Sequence, residues 1–536
     1  MMFSITFDQF LLLGSIVVPA LVSMMLFTGF FRSDESAKKL GYLAFVFPFF
    51  SGIILFFRFD SSVDGYAFEI FYPRMGLQEL KIHFHLGLNG VSSPLFAMAG
   101  IVGLAAGLAA IHSKADRLSL YLALLTLMQS GLMGLFASVD LFFYYLFHEF
   151  ALIPTFIMIG LWGGKDRRSV ALEITIYLTL GALLSLGGLV ALNTFINAES
   201  FDFPSMSKAL AESGLFESTK SKIFGLLLFG FGILVALFPF HTWAARGYET
   251  APTSVSMLHA GVLKKFGLYG LVQIAAPLLP ESAQTWSTLI LWLALGNVIF
   301  VGLVTIAQNN LKSMVGNGSV MHMGYCFLGI GACSSLGASS AIMLMVAHGL
   351  SVSLMFLLSQ YIYRRTETYE MNEMGGLAKQ TPLLACFFVA ASLATIGLPG
   401  FGNFWGEFGV FLSLGEKPGN MPFLILAAFG IIISAIFGLR AVARMFFGSA
   451  TEELVEVESK KPIKDLKLIE MIPAGVILIA LLWIGLWPRT ISPSIDREIQ
   501  YRYQSMENSS SRNSLPPCCP VVDSNGSNPA SVLPSN

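Results

Sequence analysis

The stretch TIGLPGFGNFWGEFGVF, residues 395–411, decides the fold class. It lies inside an otherwise apolar run, residues 381–413, that exceeds the roughly 20 residues a helix needs to cross a bilayer. Gly397, Pro399, Gly400, Gly402 and Gly406 interrupt the run, and Glu407 sits among the last of them. Pro and Gly break the helical ladder, and in a membrane the freed backbone groups must be covered by protein or water. A second interrupted run, GILVALFPFHTW at 232–243, carries Pro239 and His241. Each alone reads equally well as a proline kink, a common feature of membrane helices. Two breaks five spans apart are what two related halves of a transporter would show.

Composition agrees. Of 536 residues, 55% are hydrophobic and 12% charged, about half the usual charge content. With mean hydropathy at +0.70, a soluble multidomain enzyme is excluded. The net charge of −1 gives no basis for a nucleic-acid partner. Cys326, Cys333 and Cys386 lie in apolar stretches without metal spacing, and Cys518 and Cys519 lie in a polar tail, so no metal site is expected.

Apolar runs recur at about 9–31, 40–57, 91–113, 117–139, 141–163, 170–195, 223–241, 255–278, 284–307, 313–335, 337–363, 381–413, 421–447 and 468–487. The expectation is an all-α polytopic membrane protein of about fourteen transmembrane helices, with the seventh and twelfth broken. The first run lacks an upstream Lys or Arg and is read as a mature helix rather than a signal peptide. Loops after odd-numbered spans hold seventeen basic residues, Arg32, Lys114 and Arg246 among them. The other face holds seven, including Arg58, Arg74 and Lys81. The richer face is expected inside, which puts both termini outside. The longer outer loops, 58–90 and 196–222, are expected to fold as small caps, and the Ser-, Asn- and Pro-rich segment 491–536 as a disordered tail.

The few charges inside the spans carry the functional reading, since each costs about 2.5–3.5 kcal/mol on insertion scales. They are Glu149 in DLFFYYLFHEFALIPTF, His259, Lys264 and Lys265 in MLHAGVLKKFGLYGL, His322 in GNGSVMHMGYCF, His348 in MLMVAHGLSVSLMF, and Glu407. A lone membrane His also serves as a helix-to-helix hydrogen-bonding residue, and of the two lysines Lys264 is expected to reach toward an interface. His148 neighbours Glu149, but adjacent helical positions diverge and pair poorly. Burial drives buried Lys and Glu toward titration near neutral pH, so the set reads as a proton relay. No phosphate loop, paired-cysteine metal motif or haem motif is present, and any redox or energy source must lie in another polypeptide or an ion gradient.

These residues resemble the antiporter-like proton-channel subunits of respiratory complex I, most closely the subunit-4 type, over roughly 80–450. The likeness rests on HFHLGLNGVSSPL, FHEFALIPTFIMIGLWGG, FPFHTW followed by APT, MLHAGVLKKFGLYG, NNLKSMVGNGSVMHMGY, AHGLSVSLMFLL and GLPGFGNFWGEF, in that order. Glu on the broken twelfth helix distinguishes subunit 4 from lysine-bearing relatives. The resemblance implies two inverted five-helix repeats at about 114–278 and 279–447, with three helices in 1–113 and the last in 448–490. It also implies a relay of Glu149, Lys265, His322, His348 and Glu407, with Lys265 central, while Lys264 and His259 are secondary candidates. Flavin, iron–sulfur clusters and quinone would belong to partner subunits in the membrane assembly, with none bound by this chain. The location implied is a bacterial plasma membrane ahead of an organellar inner membrane.

Four departures stand out. The seventh-helix lysine that would pair with Glu149 is replaced by Leu234, so Glu149 is expected to be a protonatable site with Lys264 or His259 as substitute partner. The loop reads HTWAARGYETAPT, with Arg246, Tyr248 and Thr250 in place of Asp, His and Glu. The GLDG motif reads GLNG, with Asn89. His259 six residues before Lys265 is closer to the subunit-5 and antiporter pattern. The expected function is proton translocation in a donor:quinone oxidoreductase. The alternatives are a subunit of a multisubunit cation/proton antiporter and a non-pumping scaffold.

Overall fold

The computed structural model describes residues 5–29, 33–62, 65–72 and 81–513. Arg32, Arg74 and the segment 514–536, with Cys518 and Cys519, lie outside them. The chain is nearly all helix. On one face α1 (Phe7–Phe27) and α2 (Asp34–Arg58) precede a hairpin of β1 (Ala67–Tyr72) and β2 (Phe84–Leu88), antiparallel with Ile70 opposite Leu86. Then come α3 (Ser92–Ile111), α4 (Leu118–Ala137), α5 (Leu141–Trp162) and α6 (Arg167–Ile196). A short amphipathic α7 (Phe203–Glu212) lies between α6 and α8 (Glu217–Val235), so both long loops do carry small caps.

The expected breaks are present. Helix α8 ends at Ala236, in a left-handed conformation, and α9 (Thr242–Thr250) resumes after the turn through Pro239. Buried Asn297 covers the gap: its Nδ2 donates to the Ala236 and Val320 carbonyls (2.9 and 3.1 Å), and its Oδ1 accepts from Phe238 N (2.7 Å). The second break separates α17 (Pro382–Ile396) from α18 (Gly402–Gly415). Gly397 turns there at φ +83°, and a Cβ on it would collide with the Glu407 carboxylate.

Between these breaks, α10 (Thr253–Leu258), α11 (Lys265–Gly270) and α12 (Ala276–Leu278) form one helix, joined by π-helical turns at His259–Leu263 and Leu271–Ala275. Next come α13 (Pro280–Leu295), α14 (Gly302–Ala307), α15 (Leu311–Gly331) and α16 (Ser335–Thr366). The chain closes with α19 (Met421–Phe446), α20 (Glu452–Lys460), α21 (Leu468–Leu486) and α22 (Ser492–Asn513).

Eleven helices among the described residues are long and apolar enough to cross a membrane. The other three expected spans are also helical. Residues 253–278 are segmented by π turns, α15 carries Lys312, Asn317, Ser319 and His322, and residues 382–415 are cut in two. Helices α3, α4 and α16 are almost wholly enclosed, whereas α1, α6, α19 and α21 ring the bundle. Their outer faces show Leu172, Ile176, Leu183, Phe429, Ile432 and Ile479. Such continuous apolar exposure marks a surface built for lipid or partner protein.

The expected disordered tail is corrected from residue 492 to 513, which form α22. Ile491, Ile495 and Ile499 are buried, and four-residue spacing puts them on one face. Helix α22 rests on the hairpin face, where Arg497 donates to the Ser62 carbonyl (3.1 Å). The start of α1 meets the same face, since Gln9 Nε2 donates to the Glu69 carbonyl (2.7 Å).

Candidate functional site: a buried line of ionisable side chains

The first π turn positions the lysines. Lys264 N donates to the carbonyl of His259, five residues back, at 2.9 Å. This adds one residue to the turn and rotates the side chains that follow, as π turns do at many functional sites. Both lysines are enclosed, Lys264 at 1% and Lys265 at 0% exposure, so the expectation that Lys264 reaches toward an interface is corrected. Lys265 Nζ is held by the Ala260 carbonyl (2.7 Å). Lys264 Nζ lies 5.4 Å from the Tyr248 ring and donates to Ser319 Oγ (3.3 Å).

From Ser319 the line continues across the bundle. Ser319 Oγ lies 3.1 Å from His348 Nε2, and the His348 and His322 ring centroids are 5.5 Å apart. His322 Nδ1 approaches Glu407 Oε1 to 3.3 Å without the alignment of a hydrogen bond. The residue before α11 and helices α15, α16 and α18 thus bring Lys264, Ser319, His348, His322 and Glu407 into one line. Both His322 nitrogens, His348 Nδ1 and Glu407 Oε1 lack hydrogen-bond partners among the described residues. Buried polar atoms are normally satisfied, and groups left short of partners yet close together are suited to passing protons through water.

Ser319 and Asn403 carry no expectation from the sequence, and Tyr248 figures there only as a departure in the loop. Ser319 had a signal: it precedes His322 by three residues and so shares its helix face. Asn403 Nδ2 donates to Ser351 Oγ (3.2 Å), next to His348 on α16, and had none.

Two expectations fail. Glu149 is not enclosed within this chain: its side chain is 41% exposed at the perimeter. His148 Nδ1 approaches it to 3.5 Å without a hydrogen bond, the poor geometry expected of adjacent helical positions, and among the described residues neither Lys264 nor His259 forms an ion pair with it. His259 instead stacks on Trp243 (5.6 Å) and meets the edge of Tyr248 (5.3 Å). Leu234 is buried against Gly181 of α6.

On the hairpin face a separate cluster pins β2 to the α6–α7 connection. Asp202 binds both His83 (3.1 Å) and His85 (2.9 Å), and His85 Nε2 reaches Glu69 (2.6 Å). Burial alone would lower the His85 pKa, but Asp202 and Glu69 outweigh it and hold the imidazole above its ordinary 6.5. Burial likewise opposes ionised Asp202, yet hydrogen bonds from His85 and Ser200 keep it below 3.8. No cluster of three His, Cys, Asp or Glu suited to a metal ion occurs among the described residues.

The fold and this line define a polytopic membrane protein with a chain of ionisable groups running through its core. Residues 138–442 match the family described as NADH:quinone oxidoreductase/Mrp antiporter, transmembrane. The chain is 32% identical over 476 residues to NADH-quinone oxidoreductase subunit M of Rickettsia prowazekii (strain Madrid E), covering 88% of this chain and 94% of that protein. It therefore belongs to this family. Among solved structures it resembles a chain of respiratory complex I from Thermus thermophilus with bound NADH, at 26% identity and a TM-score of 0.80, over 91% of this chain and 99% of that one. The fold is shared with a chain of the Mrp complex from Dietzia sp. DQ12-45-1b, at 17% identity, a TM-score of 0.80, and 94% and 99% coverage.

Proposed function

We propose that the chain is a proton-translocating membrane-arm subunit of a redox-driven NADH, or related donor, quinone oxidoreductase. The observation that carries this reading is the buried line from Lys264 to Glu407. Glu407 is its terminal exchange group, His348 and His322 are the connecting carriers, and Lys264 with its neighbour Lys265 holds the proton in the first half. His259 borders the lysines. Glu149 lies where a neighbouring membrane-arm subunit would cover it, since an exposed carboxylate facing lipid is costly. Flavin, iron–sulfur clusters and quinone belong to partner subunits. Ten of the fourteen crossings form two inverted five-helix repeats, 114–278 and 279–447, in a bacterial plasma membrane with both termini outside.

The family description also takes in Mrp antiporters, but the Mrp chain is 17% identical to this one, whereas subunit M is 32% identical over 88% of it. Isolating the native assembly tests the choice. Companion redox subunits and donor:quinone activity support the proposal, and sodium-dependent proton exchange without redox cofactors overturns it. In the reconstituted complex, Glu407→Gln and Lys265→Ala should lower the protons moved per electron, and an unchanged ratio in both would leave a scaffold.

A further inference from the structure

The hairpin face holds a second buried polar cluster that this line does not use. Its centre is Glu498 of α22, 9% exposed. Glu498 Oε1 accepts from Asn89 Nδ2 (3.2 Å) and from Arg502 Nε (2.7 Å). Arg502 Nη1 also donates to the Gln273 carbonyl (3.4 Å), and Gln273 Nε2 donates to the Tyr66 hydroxyl (3.5 Å). The seating of α22 is close, because the Ser494 carbonyl and Glu498 Cβ occupy the space a side chain at residue 90 would need. Only glycine fits there.

Below the cluster, Gln273 stands in the second π turn of the helix that bears Lys265. Lys265 and Tyr269 stand one turn apart on α11, and Gln273 follows in the π turn after it. Tyr269 and Gln273 are both buried. The Tyr269 hydroxyl and Gln273 Oε1 lack well-formed hydrogen bonds among the described residues. Ser92, whose hydroxyl accepts from Asn89 N (2.9 Å), lies beside Tyr269. Above the cluster, Glu498 lines a surface cleft with Ser61, Ser494 and Arg497, of about 10 Å³, room for roughly one water. The polar groups therefore run from mid-helix to the surface on the face opposite the loop that carries Arg246. The acidic group of the cluster comes from α22, with Asn89 donating to it.

We infer that Glu498 is the terminal exchange group of a second half-channel, running from Lys265 past Tyr269 and Gln273 to the hairpin face. Asn89 and Arg502 are its positioning residues. A proton delivered through water along Tyr269 and Gln273 converts the Glu498 carboxylate to the acid. Release to water in the cleft restores the carboxylate, and no electron moves or other bond changes. This inference rests on the proton-translocating reading above.

The test uses the whole assembled complex in proteoliposomes, with protons moved per electron measured for Glu498→Gln, Tyr269→Phe and Glu498→Asp beside Glu407→Gln. Normalising per electron separates transport from loss of assembled complex, which a merely structural staple between α22 and α3 would cause. The expected result is a lower ratio in Glu498→Gln and Tyr269→Phe, restored in Glu498→Asp. If Glu498→Gln prevents assembly, Tyr269→Phe decides, since it leaves the contacts of α22 in place. A normal ratio in Glu498→Gln and Tyr269→Phe with a lowered ratio in Glu407→Gln overturns the second half-channel alone. A normal ratio in all of them overturns the translocating function itself.

Discussion

At the scale of the residue, the decisive detail is which of two adjacent lysines faces the line. In a regular α-helix neighbouring side chains point about 100° apart, so one of the pair must face away from any given partner. The π turn at His259–Leu263 shifts that register, and it is Lys264 whose ammonium meets Ser319. Ser319→Ala should therefore slow proton delivery about tenfold, a barrier change of ~1.4 kcal/mol, while leaving the fold intact. The initial rate of proton-gradient formation per electron measures this, and an unchanged rate removes Ser319 from the path. Gly397→Ala combines a left-handed backbone with a collision against Glu407. It should displace the carboxylate from His322 and lower the ratio of protons to electrons in complexes that still assemble.

At the scale of the element, the break after α8 depends on one side chain from another part of the chain. Asn297 serves two backbone groups of the break after α8, Phe238 N and the Ala236 carbonyl, and Asn297→Leu would leave both unsatisfied. Each buried unpaired group costs about 1–3 kcal/mol. A lower midpoint of thermal aggregation in detergent is expected, and a midpoint equal to the parent's would refute the role. The hairpin offers a pH test. His85 is held above its ordinary pKa, so its contribution is complete below about pH 6.5 and is lost as pH rises through the folded value. Asp202 is held below its own, so its contribution is present above about pH 3.8 and is lost as pH falls through the folded value. The hairpin should be tightest between roughly pH 4 and 6.5 and loosen toward pH 8. Hydrogen exchange over residues 82–88, corrected for its intrinsic pH dependence, should show this, and Asp202→Asn should abolish the trend.

At the scale of the whole molecule, enclosed helices and apolar perimeter helices divide the labour. The interior can hold lysines, histidines and Glu407 because α1, α6, α19 and α21 ring the bundle around enclosed helices such as α16. Leu234 sits 4% exposed against α6, so Leu234→Lys puts a charge into a tightly packed seam. The cost expected is about 3 kcal/mol, and the yield of assembled complex should fall. A gain in pumping at normal yield would show instead that Glu149 reaches that position when its neighbour is present.

Much of this was legible from the residues alone. Membrane class, both helix breaks and the identity of the buried ionisable groups follow from local composition, because a bilayer accepts only long apolar helices and makes each exception costly. The order of motifs was enough to place the family. Tertiary structure alone decided that Lys264 joins the line, that Glu149 faces outward and that Asn89 holds Glu498 from 409 positions away. It also decided that residues 492–513 are helical, despite a polar composition, because Ile495 and Ile499 find a surface to cover. Partners that distant in sequence leave no local periodicity to read, and a single π turn redirects side chains without changing any residue.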